Sequence, residues 1–313
     1  MKLSFIIPCY CSEQTIRPVV DGIRQAIHGA HEYRIILVND HSKDHTWAEI
    51  CRLCREDPCI TGIDLARNFG QQAARMAALD YADGDYTVFM DDDGQHPPEG
   101  IRALLAKAEE GYDIVYAHFR HSQERGLKRL GSCVNRWMTD LLMQKPREIR
   151  QSSFFIVRRY VVEALKQYRS PFPYLFGYLM QITKNIANVD VEHRKRLAGT
   201  SGYTFRKLLA LWLNGFTGFS VIPLKISTWL GCLSACAGFL FALAVLVQKL
   251  LRPEMAVGYA STMIVLLVLG GLILMMLGLL GEYVGRILIT VNNIPPYVVK
   301  EVCCGDEQHD QQP

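Results

Sequence analysis

Two stretches near the C-terminal end restrict this chain more than anything else in it. Ile226 to Gln248 runs for 23 residues without a charged side chain, and Met255 to Gly281 for 27. Each exceeds the roughly 20 apolar residues that cross a bilayer as a helix. A core helix of a soluble protein can be this apolar, but two in succession after an otherwise ordinary chain point to membrane spans. The linker Lys249-Leu250-Leu251-Arg252-Pro253-Glu254 is short, so the spans form a hairpin with both outer ends on one side. Arg206, Lys207, Lys225, Arg286 and Lys300 flank those ends and favour the cytoplasm, while Lys249 and Arg252 in the linker pull the other way.

The remaining chain reads differently. Strand-like runs at Leu3–Ile7, Tyr33–Asn39, Ile60–Leu65, Tyr86–Met90 and Asp113–Tyr116 alternate with helical patterns at Thr15–Ala30, Thr46–Glu56, Gln71–Ala82 and Glu99–Glu109. That βα repetition predicts a mostly parallel sheet with helices on both faces. Such sheets bind ligands beyond the carboxyl ends of their strands, and polar residues gather there: Pro8, Tyr10 and Glu13, then Asp40 and Ser42, then Arg67 and Asn68. No GxGxxG follows the first strand and no GxxxxGK[ST] occurs, which argues against a dinucleotide oxidoreductase or a P-loop enzyme. A formal net charge of only +3 gives no general case for nucleic acid. Leu3 to Ile7 is too short for a signal-peptide core and ends at Pro8. The ten cysteines suit a reducing compartment. Cys51 and Cys54 form a CxxC without a second pair at zinc spacing, so they read as packing residues, and Cys303 and Cys304 read as exposed thiols.

The fourth strand runs into Asp91-Asp92-Asp93-Gly94-Gln95-His96-Pro97-Pro98. Unpaired buried charge is costly, so three carboxylates at a strand end are not packing residues. In extended backbone Asp91 and Asp93 point the same way and Asp92 the other. A pair of that kind suits a hard divalent cation that keeps sites open for substrate phosphates. A solvated acidic loop is the plainer reading of the triplet alone.

The segments IIPCYCSE, LVNDHSKD, ARNFGQQAARMAAL, MDDDGQHPPE, RLAGTSGYTFRKL and LLGEYVGRI occur in that order. Together they resemble the family 2 glycosyltransferases of the dolichol-phosphate mannose synthase and bacterial polyprenyl-phosphate glycosyltransferase type. The resemblance runs from Leu3 to about Lys300. It implies an α/β GT-A catalytic domain, a nucleotide-sugar donor, Mg²⁺ or Mn²⁺, and inverting transfer to a polyprenyl phosphate. By the same resemblance Pro8, Tyr10, Glu13 and Asp40 match positions that hold base and ribose. Arg67 and Asp92 are further nucleotide-sugar contacts, Asp92 with a structural role as the alternative. Asp91 and Asp93 match the metal-binding acids, Gln95 a further metal-side ligand, and Arg120 and Arg196 basic residues facing the phosphates. Asp93, Arg120 and Arg196 are the candidate catalytic residues. Arg125, Lys128 and Arg129 fit a solvated surface or a surface that steers the acceptor phosphate or anionic lipid.

Three positions depart from that pattern. Cys11 stands where many relatives carry Asn, His41 where Gly is usual, and Ser153 where a number carry Asp. The last puts in doubt a mechanism that needs a third carboxylate. The chemistry tolerates this, because a phosphate monoester has a second pKa of about 6 and is already largely anionic. The expected organisation is a catalytic domain over 1–203, an interfacial amphipathic segment over 204–225, the hairpin over 226–289 and a cytoplasmic tail over 290–313. The RNFGQ stretch favours the bacterial branch, hence a UDP-sugar and undecaprenyl phosphate. The protein is then multi-pass in the inner (plasma) membrane, in contact with membrane lipid, with a cytoplasmic catalytic domain and a homo-oligomeric state suggested by relatives. A scaffold that binds sugar nucleotides without turnover is the main rival. A polysaccharide synthase is a weaker one, since Cys133 stands where QxxRW needs Gln.

Overall fold

The structure, a computed structural model, describes residues 1–27, 29, 31–119, 149–168, 170–171, 173–192, 222–251, 258–292 and 294–304. The chain forms two compact units, Met1–Leu208 with Ile294–Pro313, and Leu209–Asn293.

The first unit is built on an eight-stranded sheet in the order β7-β5-β6-β4-β1-β2-β3-β8. Its strands are β1 (Lys2–Cys9), β2 (Glu32–Asn39), β3 (Ile60–Leu65), β4 (Tyr86–Phe89), β5 (Ile114–Phe119), β6 (Phe155–Arg158), β7 (Ile186–Val191) and β8 (Val299–Cys304). β1 pairs in parallel with β2 and β4, and β2 with β3. This central strand is buried at every position after Lys2, as a strand covered on both faces requires, and so it reads as a continuous apolar run. Helices α1 (Ile16–Ile27), α2 (Thr46–Glu56), α3 (Gln71–Ala78) and α4 (Gly100–Glu109) supply the cover. In α1 the buried residues are Ile16, Val19, Val20, Ile23 and Ile27, an apolar stripe at helical spacing. Two shorter helices, α5 (Arg159–Lys166) and α6 (Leu175–Ile182), follow β6.

The far side of the sheet is where local pattern reading stops. β6 runs antiparallel between β4 and β5, and β7 pairs in parallel with β5. Part of the segment expected as a cytoplasmic tail returns to the sheet: β8 pairs antiparallel with β3 and covers that edge. Lys300 Nζ reaches the buried Asp64 carboxylate at 2.9 Å. Cys303 lies opposite Gly62, where an added Cβ would come within 2.5 Å of Ile50 and 3.2 Å of the Cys54 sulfur. That missing side chain lets the strand and α2 pack closely. Cys51 and Cys54 both neighbour the Cys303 thiol. Burial, ahead of the neighbouring thiol, pushes Cys51 up to about 12 and raises Cys54 as well, which suits packing groups better than nucleophiles. Cys303 is therefore half-buried rather than exposed, while Cys304 is exposed. Residues 305–313 lie outside the described residues.

The second unit contains helices α7 (Ile222–Leu251) and α8 (Tyr259–Val291). Its apolar side chains face outward, with Trp229, Leu233, Phe239 and Leu274 among the most exposed. Among the described residues one stretch, Val268–Val291, is long and apolar enough to cross a membrane, and Ser227–Phe241 is a shorter apolar helix. Of the segment 204–225, residues 204–221 lie outside the described residues, and α7 starts at Ile222. The Arg286 side chain is likewise not described.

Candidate active site

The carboxyl ends of β1, β2 and β4 deliver three polar loops to one edge of the sheet. Parallel pairing sets this geometry: β1 lies between β2 and β4, so all three strands end on the same side. β4 ends at Phe89 and the backbone bends through Asp92–Gly94, with Gly94 at φ 73°. The three acids therefore leave extended geometry and diverge.

Asp91 turns toward α3 and the approach to β6. Its Oδ1 accepts from Gln71 Nε2 at 2.6 Å and Arg75 Nη2 at 2.9 Å, and its Oδ2 accepts from the Ser153 hydroxyl at 2.6 Å. Three donors occupy most of the roughly four lone-pair positions of a carboxylate. The Asp91 N–H donates to His96 Nδ1 at 2.9 Å. That makes Nδ1 the acceptor and leaves the proton on Nε2, which lies 3.2 Å from the Ser153 oxygen. His96 is buried and stacks on Phe154. Burial pushes the Asp91 carboxyl up, but the Arg75 guanidinium, His96 and the Ser153 hydroxyl outweigh it and hold the group below its ordinary range.

Asp92 turns toward the loop after β1. Its Oδ2 accepts from the Tyr10 N–H at 3.1 Å and from the Ser12 hydroxyl. Burial, countered by those two donors and reinforced by the Asp91 charge, raises it to about 6. Asp93 Oδ1 accepts the Gln95 N–H at 3.0 Å, a tight local turn.

On the β2 side, the buried Asp40 clamps the loop into α3. Its two oxygens accept the N–H groups of Phe69 and Gly70 at 2.7 and 2.8 Å, and Gly70 holds φ 90° there. Burial raises the Asp40 carboxyl despite both backbone donors. Glu13 Oε2 accepts the His45 N–H at 3.0 Å. Pro8 is buried in β1, and Tyr10 is 50% exposed beside it. Arg67 lies over the Phe69 ring at 4.7 Å. Arg120 and Arg196 lie outside the described residues, as do Arg125, Lys128 and Arg129.

Two of the sequence departures gain a physical meaning here. Among the described residues Cys11 and His41 are the non-glycine residues at positive φ, 56° and 55°. Left-handed backbone is the conformation that Gly and Asn adopt most readily. The Cys11 N–H is held by Ser42 Oγ at 3.0 Å, so one turn supports the other.

Sequence reading brought Tyr10, Asp40 and the acids to one edge, but it missed the groups that hold them. Ser12, Gln71, Arg75 and His96 were not singled out. Gln71 and Arg75 are four apart on a helix and thus on one face, which was the available signal. Arg75 is 4% exposed, a burial that nothing in its neighbours announces. The oxygen-only donor chemistry of Asp93 and Gln95 suits a hard divalent cation that completes its shell with substrate phosphates. Among the described residues no group of three or more His, Cys, Asp or Glu is arranged to hold a metal.

Residues 4–166 match the family model described as Glycosyl transferase family 2, and residues 222–287 match the GtrB C-terminal hairpin. A prophage-derived bactoprenol glucosyl transferase of Shigella flexneri is 33% identical over 96% of this chain and 98% of its own. An undecaprenyl-phosphate 4-deoxy-4-formamido-L-arabinose transferase of Proteus mirabilis is 30% identical over 96% and 94%. Among solved structures, glucosyl-3-phosphoglycerate synthase of Mycobacterium tuberculosis with UDP superposes with TM-score 0.52 at 18% identity, over 68% of this chain and 76% of that one. The same synthase has been crystallised with Mn²⁺, UDP-glucose and phosphoglyceric acid (TM-score 0.50). These structures establish the GT-A fold.

Proposed function

The chain belongs to glycosyl transferase family 2, among its polyprenyl-phosphate glycosyltransferases, and from that premise we propose that it moves a sugar from a nucleotide-sugar, UDP-linked in preference to GDP-linked, to a polyprenyl phosphate. The observation that carries this reading is the convergence of the β1, β2 and β4 ends, joined by the Tyr10 N–H on Asp92. The candidate nucleoside residues and the acids share that edge, with the Asp40-held Gly70 next to Gln71, which bonds Asp91.

On this reading the loops that carry Tyr10, Glu13, Asp40 and Arg67 receive the nucleoside, and Asp93 with Gln95 would hold Mg²⁺ or Mn²⁺. When bound, the cation neutralises charge that grows on the departing diphosphate. Asp91 contributes differently: its carboxylate fixes Arg75 and Ser153 and so shapes the floor beside the diphosphate. The acceptor phosphate is anionic at neutral pH, so no side chain need remove a proton from it. Ser153 is compatible with that requirement, whereas a mechanism with an obligatory carboxylate there is not. Orientation supplies the rest, since the anomeric carbon must face a phosphate held at a membrane surface. The outward apolar faces of α7 and α8 support a membrane hairpin, with the catalytic unit in the cytosol where nucleotide-sugars are.

Purified full-length protein with a polyprenyl phosphate and a panel of labelled UDP- and GDP-sugars tests the reading. Transfer from a UDP-sugar is expected, silenced by chelator and restored by Mg²⁺ or Mn²⁺. Asp93→Asn should cost at least about a hundredfold in kcat. Full activity in chelator would remove the cation from the mechanism. Absence of transfer from every donor, with nucleotide binding intact, would favour the scaffold instead.

A further inference from the structure

Strand β8 follows α8 in the chain and stands last in the sheet order, yet its hydrogen bonds lead inward to the loops after β1, β2 and β3. Lys300 Nζ donates to Asp64 Oδ2 at 2.9 Å. The other oxygen of that carboxylate accepts from Asn39 Nδ2 at 2.6 Å. Asn39 Oδ1 in turn accepts the Ser42 N–H at 3.2 Å, and Ser42 Oγ accepts the Cys11 N–H at 3.0 Å. A second path is shorter. The Val298 carbonyl accepts the Ala66 N–H at 2.9 Å, one residue before Arg67, and Asn68 in the same loop donates to the Asp40 carbonyl at 3.1 Å. The candidate nucleoside loops are thus tied to β8 and the residue before it, either directly or through one carboxylate.

Packing alone does not call for this arrangement. Asp64 and Asn39 are 3% and 2% exposed, and a buried carboxylate is costly unless it is paired. A buried ion pair gives little stability over apolar side chains of similar volume, and its better-attested use is to fix register. The register of β8 supports that use. It steps from Asp64 opposite Glu301 to Leu65 opposite Val299, which leaves Lys300 as the extra residue of a β-bulge. Two residues of β8 then answer to one of β3, and bulges next to active sites re-aim a side chain in this way. The bulge brings an ammonium to Asp64 where a regular ladder would offer only the Glu301 carboxylate. β8 is otherwise lightly held: Lys300, Glu301, Val302 and Cys304 are exposed, which places the strand toward the low end of local stability.

We infer that β8 is a working part of the nucleoside site, with Lys300, Asp64 and Asn39 as positioning residues, and that docking of β8 and binding of a nucleoside diphosphate favour one another. Asp64 holds Asn39 in the orientation that fixes Ser42, and Ser42 fixes the left-handed turn at Cys11 beside Tyr10. A docked β8 presents the loops in the form the nucleotide selects, and an undocked one lowers affinity by the fraction of time the loops spend elsewhere. Linkage makes the effect reciprocal, so bound nucleotide holds β8 in place by the same factor. The assignment rests on the nucleotide-sugar reading above.

The test uses the full-length protein in detergent with UDP and GDP as probes, calorimetry for affinity and amide hydrogen exchange for β8. In wild type the tighter-binding of the two nucleotides should slow exchange across residues 298–304. Lys300→Met should weaken its binding by at least about fivefold and abolish that protection. Lys300→Arg keeps a charged donor at the bulge and should restore both. Asp64→Asn should weaken binding as Lys300→Met does, and combining the two should cost little more, because they act through one bond. Melting temperatures show whether each variant is folded. Where Lys300→Met is not, exchange of β8 in wild type with and without nucleotide decides. Unchanged affinity in folded Lys300→Met, or β8 exchange indifferent to a nucleotide that wild type binds, overturns the role of β8 and leaves the nucleotide reading standing. Failure of wild type to bind either nucleotide overturns that reading, and this inference with it.

Discussion

Asp40 after β2 and Asp91 after β4 end strands of the same sheet, and both carboxylates are largely withdrawn from water, with 4% of Asp40 and 21% of the Asp91 side chain exposed. Their titration shifts have opposite signs. Asp40 is held by two backbone N–H groups, and burial still wins, so its carboxyl is raised. Asp91 is held by a guanidinium, a hydroxyl and an imidazole, and these defeat burial, so its carboxyl is lowered. A pair of partial charges compensates desolvation less than one full opposite charge does. The β2 region uses its carboxylate to shape a loop, while the β4 region uses one to orient an arginine.

Breaking the β4 side should have the larger effect. Asp91→Asn leaves the buried Arg75 without its counter-ion, and loss of one partner of such a pair costs about 3–5 kcal/mol. A large fall in melting temperature is therefore expected, with activity lost through the fold as well as the site. Ser153→Ala removes one hydrogen bond to the same carboxylate, worth roughly 1.5–3 kcal/mol for a charged acceptor, and leaves Gln71 and Arg75 in place. If Ser153→Ala melts as low as Asp91→Asn, the arginine is not what holds this region together.

Stability against pH sharpens the contrast, with chelator present. Asp91 is depressed in the folded state, so its contribution is present above the unfolded carboxyl range and is lost as pH falls through its folded value. Asp40 is raised, so its contribution is present below the unfolded range and is lost as pH rises through its folded value. Asp91→Asn should thus flatten the loss of stability below about pH 4. Asp40→Asn should remove a decline above it. Denaturation midpoints across pH 3 to 7 in detergent read both, and identical profiles for the two variants would contradict the opposite signs.

The smallest effect concerns the turns that carry these loops. His41 sits at φ 55° directly after Asp40. His41→Gly should relieve roughly 1–2 kcal/mol of left-handed strain, offset by about 0.4–1 kcal/mol of extra chain entropy in the unfolded state. A rise of a few degrees or less in melting temperature is expected. A fall would mean that the imidazole makes a contact that outweighs the strain.

Much of the sheet was legible because its signals are local. Each of the first five strands and four helices appears within a few residues of where periodicity placed it, since parallel strands buried on both faces must be runs of apolar residues. Even so, α3 stops at Ala78 and a 3₁₀ turn covers Leu79–Tyr81, where the apolar pattern alone implied one longer helix. The resemblance of the motifs to glycosyltransferases was likewise readable, because strand ends in a parallel sheet deliver their residues to a common edge. β6, β7 and β8 were not read. β8 pairs with a strand more than two hundred positions earlier, and its Val-Lys-Glu-Val-Cys-Cys sequence carries no alternation strong enough to announce a strand.

By itself the sequence determined the alternating sheet, the acids at the end of β4 and two apolar helices, because each follows from residues adjacent in the chain. Tertiary structure alone decided what the acids do. Whether a carboxylate is raised or lowered depends on which donors arrive from other elements: Arg75 from α3, Ser153 from the approach to β6, the Phe69 and Gly70 amides from the loop before α3. Arg75 and Ser153 lie 16 and 62 residues from Asp91, and Phe69 and Gly70 lie 29 and 30 from Asp40, and only packing brings them within hydrogen-bond reach.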